Sequence, residues 1–266
     1  MPFTVSHIAA VLPAHKPLRR WGLLSAAIIG SMVPDFGFLS PWALARSQTH
    51  SSMGLLTFCL PVGLVAWVLF QVLIKPAWWE VLPGRWRYRL RAEHPQARFG
   101  RWRTWLGAMV VILLGAATHL VWDGFTHEGG RGVRMLPALD EYGPQLAGHA
   151  LRYYRWLQHG SSVVGLAIVI AVAWRWMQGA KPGDARPANE LSAAERHAWL
   201  AAYVLVPAAW FAADLALGLH HPRPAMRAGE VLTHMIYLSM SSAGGALLLV
   251  SAAIRVRVGR ALRRGP

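Results

Sequence analysis

The sequence predicts an all-α fold, a polytopic transmembrane helical bundle of five spans plus one short or re-entrant apolar helix. Two observations predict it. Hydrophobic residues fill 55% of the 266 positions and charged residues only 15%, and the apolar residues fall in long blocks rather than amphipathic stripes. A helix needs about 20 apolar residues to cross about 30 Å of hydrocarbon, and five segments have that character.

In chain order the expected spans run from Gly54 to Ile74, Thr104 to Trp122, Ser161 to Met177, Trp199 to Leu219 and His234 to Ile254. A further apolar stretch, Trp21 to Leu39, is interrupted by Pro34 and Asp35, and so reads as a re-entrant or half-buried helix. The run HKPLRR ahead of WGLLSAAIIGSM has the charge pattern of a secretory signal, but no small-x-small cleavage site follows it. Residues 178–197 read as a polar connector and 255–266 as a solvated basic tail. The whole chain, 1–266, reads as a single integral-membrane domain. Its one cysteine, Cys59, lies inside the first span and has no intramolecular partner.

The formal net charge of +15 invites a nucleic-acid reading, which its placement argues against. The loop from Lys75 to Arg103 interleaves basic residues with Trp78, Trp79, Trp86 and Trp102, as segments anchored in a headgroup layer do. We therefore expect no nucleic-acid partner. Seventeen of the 27 basic residues fall in this loop, in the connector between the third and fourth spans, or in the tail. The positive-inside rule puts that side, with the C-terminus, in the cytoplasm, and the expected location is the inner (cytoplasmic) membrane.

Histidines gather on the opposite face. His50 precedes the first span, His119 lies near the end of the second and His159 precedes the third, so antiparallel spans return all three to one side. His127, His149, His220, His221 and His234 belong there too, leaving His94 and His197 on the basic side. In THLVWDGFTH, His119 and Asp123 stand one helical turn apart on one face. Such a pair suits zinc, manganese or iron, and equally suits a plain buried hydrogen bond. Three segments add metal-competent groups at apolar boundaries: TVSHIAAVLP with His7, IGSMVPDFGFL with Asp35, and SQTHSSMGL with His50. Ionisable groups near spans are costly unless paired or coordinated.

The series MPFTVSHIAAVLP, IGSMVPDF, THSSMGLLTFCLPVGL, LLGAATHLVWDGFTHEGG and YRWLQHGSSVVGL resembles an uncharacterised bacterial integral-membrane family, a domain of unknown function, from Met1 to about Leu166. More distantly, the order His, Asp, His-Ser, His-x-x-x-Asp is similar to that of membrane-bound metal-dependent hydrolases and zinc-dependent phospholipase C. That resemblance implies His7, Asp35, His50, His119 and Asp123 as metal ligands, with zinc the first expectation and manganese or iron the alternatives. His127 and His159, with the segment from Gln158 to Ser162, belong to the closer family's pattern and are expected near the ligands or the substrate. If His7 shares the site, Trp21 to Leu39 must dip back rather than cross.

A divalent metal with an open position would support phosphoester or ester hydrolysis, with Asp35 or Asp123 as catalytic carboxylate. Thr49, Thr118 and Thr126 each precede one of these groups and have hydroxyls suited to orienting ligands. In HEGGRGVR, glycines permit a tight backbone, and Arg131 and Arg134 are candidates to hold phosphate. The expected partner is a membrane lipid or amphiphilic substrate. Two alternatives stand beside this one: a metal-binding transporter or sensor, and a structural membrane protein.

Overall fold

The structure, a computed structural model, describes residues 3–39, 46–94, 96–146, 148–179, 191–217 and 228–264. A short helix, α1 (Leu24–Met32), precedes five helices long and apolar enough to cross a membrane. Four of these are α2 (Ser52–Val81), α3 (Trp102–Thr126), α4 (Tyr153–Gln178) and α5 (Ala193–Leu217). The fifth, α6 (Ala228–Arg264), carries its apolar span over Leu238–Arg260. The protein is an all-α multi-pass membrane protein, with the number of spans expected from its apolar blocks.

The chain divides into two compact units, one of residues 1–37, 44–67 and 93–180, the other of residues 38–43, 68–92 and 181–266. In the first, α1 packs on α3 backbone against backbone. A Cβ built on Gly30 would stand 2.5 Å from the Ile112 carbonyl oxygen, and one on Gly115 would stand 2.7 Å from that of Ala27. Only glycine at both positions allows this approach. Gly22, at φ +71°, turns the chain between the helix His15–Arg20 and α1. The 3₁₀ helix Thr4–Ala10 packs on α4, where Gly165 leaves room for Ser6 and the Ser162 hydroxyl accepts a hydrogen bond from the Phe3 amide at 3.0 Å.

The stretch from Thr4 to Asp35 closes on itself, because the Thr4 hydroxyl donates to the Asp35 carboxylate at 2.7 Å. Its two ends therefore meet, and the segment between them does not carry His7 away from Asp35. The apolar segment Leu24–Gly37 is also too short to rank among the spans.

In the second unit, Ala77, Val81, Leu191, Val250, Ile254 and Val258 form one buried cluster. Tyr203 on α5 meets Ser251 on α6 at 2.9 Å between hydroxyls. The basic tail differs from its expected form: α6 runs on to Arg264, and Val258 is buried in the cluster. The expected loop from Lys75 to Arg103 is also largely helical. Lys75–Val81 prolongs α2, and a second helix covers Gly84–Glu93. Arg91 pairs there with Glu80 at 3.1 Å and lies over the Trp79 ring. One feature had no signal in the hydrophobic pattern, an antiparallel hairpin of Tyr142–Leu146 with His149–Arg152. Of the remaining histidines assigned to this face, His220 and His221 lie outside the described residues, as do the side chains of His149 and His234.

Candidate metal centre

Helix α3 builds the centre of the site. Its buried residues Ala108, Ile112, Gly115, Ala116, His119, Asp123 and Thr126 recur every three or four positions, so a stripe of small and apolar groups ends in two polar ones on the same face. His119 is fully buried, and Asp123 is 5% exposed. The glycine contact with α1 brings the Ser31 carbonyl to His119, whose Nδ1–H donates to it at 2.8 Å. A carbonyl only accepts, so a neutral ring able to bind metal carries its lone pair on Nε2.

Three other segments aim at that lone pair. The 3₁₀ turn Val33–Leu39 brings Asp35, whose Oδ1 lies 3.5 Å from His119 Nε2. The N-terminal 3₁₀ helix brings His7, stacked on His119 with ring centroids 3.7 Å apart, its Nε2 lying 3.7 Å from Asp123 Oδ1. His50 arrives from the entry to α2, where the Ser51 side chain accepts the Gly54 amide at 2.9 Å and caps the helix. Gly54 lies so close to the Gln48 carbonyl that a Cβ there would stand at 2.3 Å, which fixes the turn carrying His50. His50 Nε2 lies 3.3 Å from Asp35 Oδ1 and 3.6 Å from Asp123 Oδ2.

All five residues of the expected ligand set thus meet at one end of the first unit. His7, His119 and Asp123 form one group able to hold a metal ion, and Asp35, His50 and His119 form another. The Nε2 atoms of His7, His50 and His119 and one oxygen each of Asp35 and Asp123 are buried without a hydrogen-bond partner. Buried polar atoms left unpaired are costly, and five facing one another could hold a cation. Nitrogen and oxygen ligands about 2.0–2.1 Å from a tetrahedral zinc stand roughly 3.3 Å apart. The donors here stand 3.3–3.7 Å from their neighbours, and the mixed imidazole and carboxylate set suits zinc, manganese or iron.

The electrostatics agree with ligands held ready. Burial pushes His7 down to about 4, and the charge of neighbouring His119 acts in the same direction. Burial also lowers His50, so both rings are neutral and able to coordinate at neutral pH. Burial works to raise Asp35, yet His119, His50 and the Thr4 hydroxyl hold it well below the usual carboxylate range.

The flanking residues divide. Burial brings His127 down to about 4. Its Nδ1 donates to the Asp123 carbonyl at 3.1 Å and lies 3.7 Å from Asp123 Oδ1, leaving Nε2 buried and unpartnered. His159 is exposed at the start of α4 and has no hydrogen bond or ion pair to the five among the described residues. Its neighbours Gln158 and Ser162 instead support the N-terminal segment. Arg131 and Arg134 are exposed, and Arg134 donates to the Gly129 carbonyl of its own loop. Thr49 Oγ1 lies 2.7 Å from His50 Nδ1, and Thr126 Oγ1 lies 3.1 Å from His127 Nδ1, whereas Thr118 bonds only to the Gly115 carbonyl of its own helix. Two partners escaped the sequence reading: Thr4 on Asp35, and Arg46, which makes a close ion pair with Asp123 Oδ2. Arg46 stands one turn before His50 in ARSQTH, which was the only available signal.

Fold and site together define a multi-pass helical membrane protein with a buried His/Asp cluster at the start of α2 and the end of α3. The chain belongs to the family described as a domain of unknown function, DUF4184, over residues 1–253. The match extends well past Leu166, so the second unit is part of the family as well. No curated protein and no solved structure matches the chain.

Proposed function

We propose that this protein is a metal-dependent hydrolase of a phosphoester or ester carried by a lipid or amphiphile, working at the non-cytoplasmic face of the inner membrane. The observation that carries the proposal is the convergence of five buried, unpartnered donor atoms from four separate segments at the ends of α2 and α3. Their mutual spacing of 3.3–3.7 Å is that of neighbouring ligands around one ion.

His7, His50, His119, Asp35 and Asp123 would hold the ion. A divalent cation in this position supplies Lewis-acid polarisation of the scissile group and stabilises developing negative charge. The rest falls to the chain's own groups. Ser31 orients His119 through its carbonyl, Thr4 orients Asp35, and Thr49 orients His50. Asp35 has one oxygen bonded to Thr4 and the other between two imidazoles, so it serves as ligand rather than proton carrier. Asp123 and neutral His127, side by side where the site meets the more exposed Arg46, are the groups placed to accept a proton. The position at the end of the spans favours a substrate whose reacting group sits at headgroup level.

Elemental analysis of detergent-purified protein tests this, with His119→Ala and Asp123→Ala alongside, followed by assays on short-chain phospholipids and fatty-acyl esters. Stoichiometric zinc, manganese or iron, lost in both variants, with hydrolysis that depends on the metal, is the expected result. Wild-type protein that takes up no metal on reconstitution would overturn it.

A further inference from the structure

We infer that Arg46 is the anion-recognition residue of this site, and that the group it recognises is a phosphoryl oxygen. This rests on the metal-centre reading above. The side chain of Arg46 is 39% exposed, whereas that of Asp123, with which it pairs, is 5% exposed. The guanidinium therefore reaches from solvent to a carboxylate inside the donor cluster. Among the described residues Asp123 is its one side-chain partner. A guanidinium has five N–H donors in a planar fork matched to carboxylate and phosphate oxygens, and a single carboxylate oxygen engages only part of that fork.

The remaining candidates for this role are worse placed. Arg134 is engaged by the Gly129 carbonyl, and neither it nor Arg131 touches the five donors. His7 and His50 belong to the donor set itself, and His127 is engaged through Nδ1 by the Asp123 carbonyl. Arg46 is thus the one arginine or lysine in contact with the cluster among the described residues. A doubly charged oxyanion approaching from the exposed side meets it before it meets the donors. A neutral carboxylic ester offers the fork much less, because charge-assisted pairs are roughly twice as strong as neutral ones. The site selects a phosphoester over a carboxylic ester through this residue.

The test uses full-length, zinc-reconstituted protein in detergent, as wild type, Arg46→Gln and Arg46→Lys. Zinc content is read by elemental analysis. Binding is read by calorimetry with inorganic phosphate, dihexanoyl phosphatidic acid and dihexanoylglycerol. Expected are equal zinc in all three proteins, phosphate binding weakened about 10- to 100-fold in Arg46→Gln, an intermediate loss in Arg46→Lys, and no effect on dihexanoylglycerol. A further gain for phosphatidic acid over phosphate, lost by the same variant, would identify a lipid headgroup as the source of the phosphoryl group. Equal affinity would identify a free phosphate. Unchanged phosphate affinity in Arg46→Gln would overturn the inference, and so would loss of zinc in both variants, since Arg46 would then merely position Asp123. Wild-type protein that holds no zinc would instead sink the underlying metal-centre reading.

Discussion

His119 donates from Nδ1 to the carbonyl of Ser31 at 2.8 Å, and this bond decides which nitrogen of the ring faces the cluster. Nε2 has a single lone pair, yet His119 belongs to both groups of potential ligands, with His7 and Asp123 on one side and Asp35 and His50 on the other. One lone pair serves one ion. The two groups therefore describe a single centre built around His119, and quantitative metal analysis is expected to give one equivalent per chain. A value near two would require a second ion held without His119.

The Ser31 bond exists because α1 and α3 touch through glycine. Gly115→Ala would set a methyl 2.7 Å from the Ala27 carbonyl oxygen, and backbone is the neighbour least able to yield. A loss of about 1–3 kcal/mol is expected, seen as a lower melting temperature in detergent together with reduced metal retention. Gly160→Ala, whose Cβ would meet nothing within 4 Å, is the matched control, with stability unchanged or slightly raised.

Thr4→Val tests the support given to Asp35. The change keeps the shape and deletes the 2.7 Å hydrogen bond to the carboxylate. Removing such a partner costs about 10- to 100-fold in metal affinity, measurable by competition with a chromogenic chelator. An unchanged affinity would mean that Asp35 is held by the imidazoles alone.

The length and apolarity of the five spans were legible because hydrocarbon demands a continuous run of about 20 residues. His7, Asp35, His50, His119 and Asp123 stood out as candidates because each breaks an apolar boundary where an ionisable group is costly, but their grouping as one ligand set came from the resemblance to metal-dependent hydrolases. Arg46 and Thr4 broke no such pattern. Arg46 is one arginine among many on a basic chain, and Thr4 is bound to Asp35 by a contact across 31 residues that no local periodicity encodes. The tail misled for the opposite reason. RVRVGRALRR looks solvated, yet α6 needs only Val258 on its inner face to continue the helix onto the core.

Acidification should destabilise the metal-free protein. His7 and His127 sit at about 4 in the folded chain because of burial, against about 6.5 when unfolded. Between those values the unfolded state binds more protons, so the stability present above about pH 6.5 falls as pH drops toward 4. The melting temperature of the apo protein is expected to decline from pH 7.5 to pH 5. A His7→Gln, His127→Gln variant should show a flatter profile. A parallel decline in the variant would assign the effect to other groups.

Sidedness can be read from the metal itself. The donor cluster lies at the start of α2 and the end of α3. In the proposed orientation the basic segments stay in the cytoplasm and the donors face the other side of the membrane. A membrane-impermeant chelator added to right-side-out vesicles should strip the metal about as fast as from detergent-solubilised protein, and inside-out vesicles should keep it. The reverse pattern would place the donors in the cytoplasm. It would leave the centre intact and make the substrate one presented by the inner leaflet.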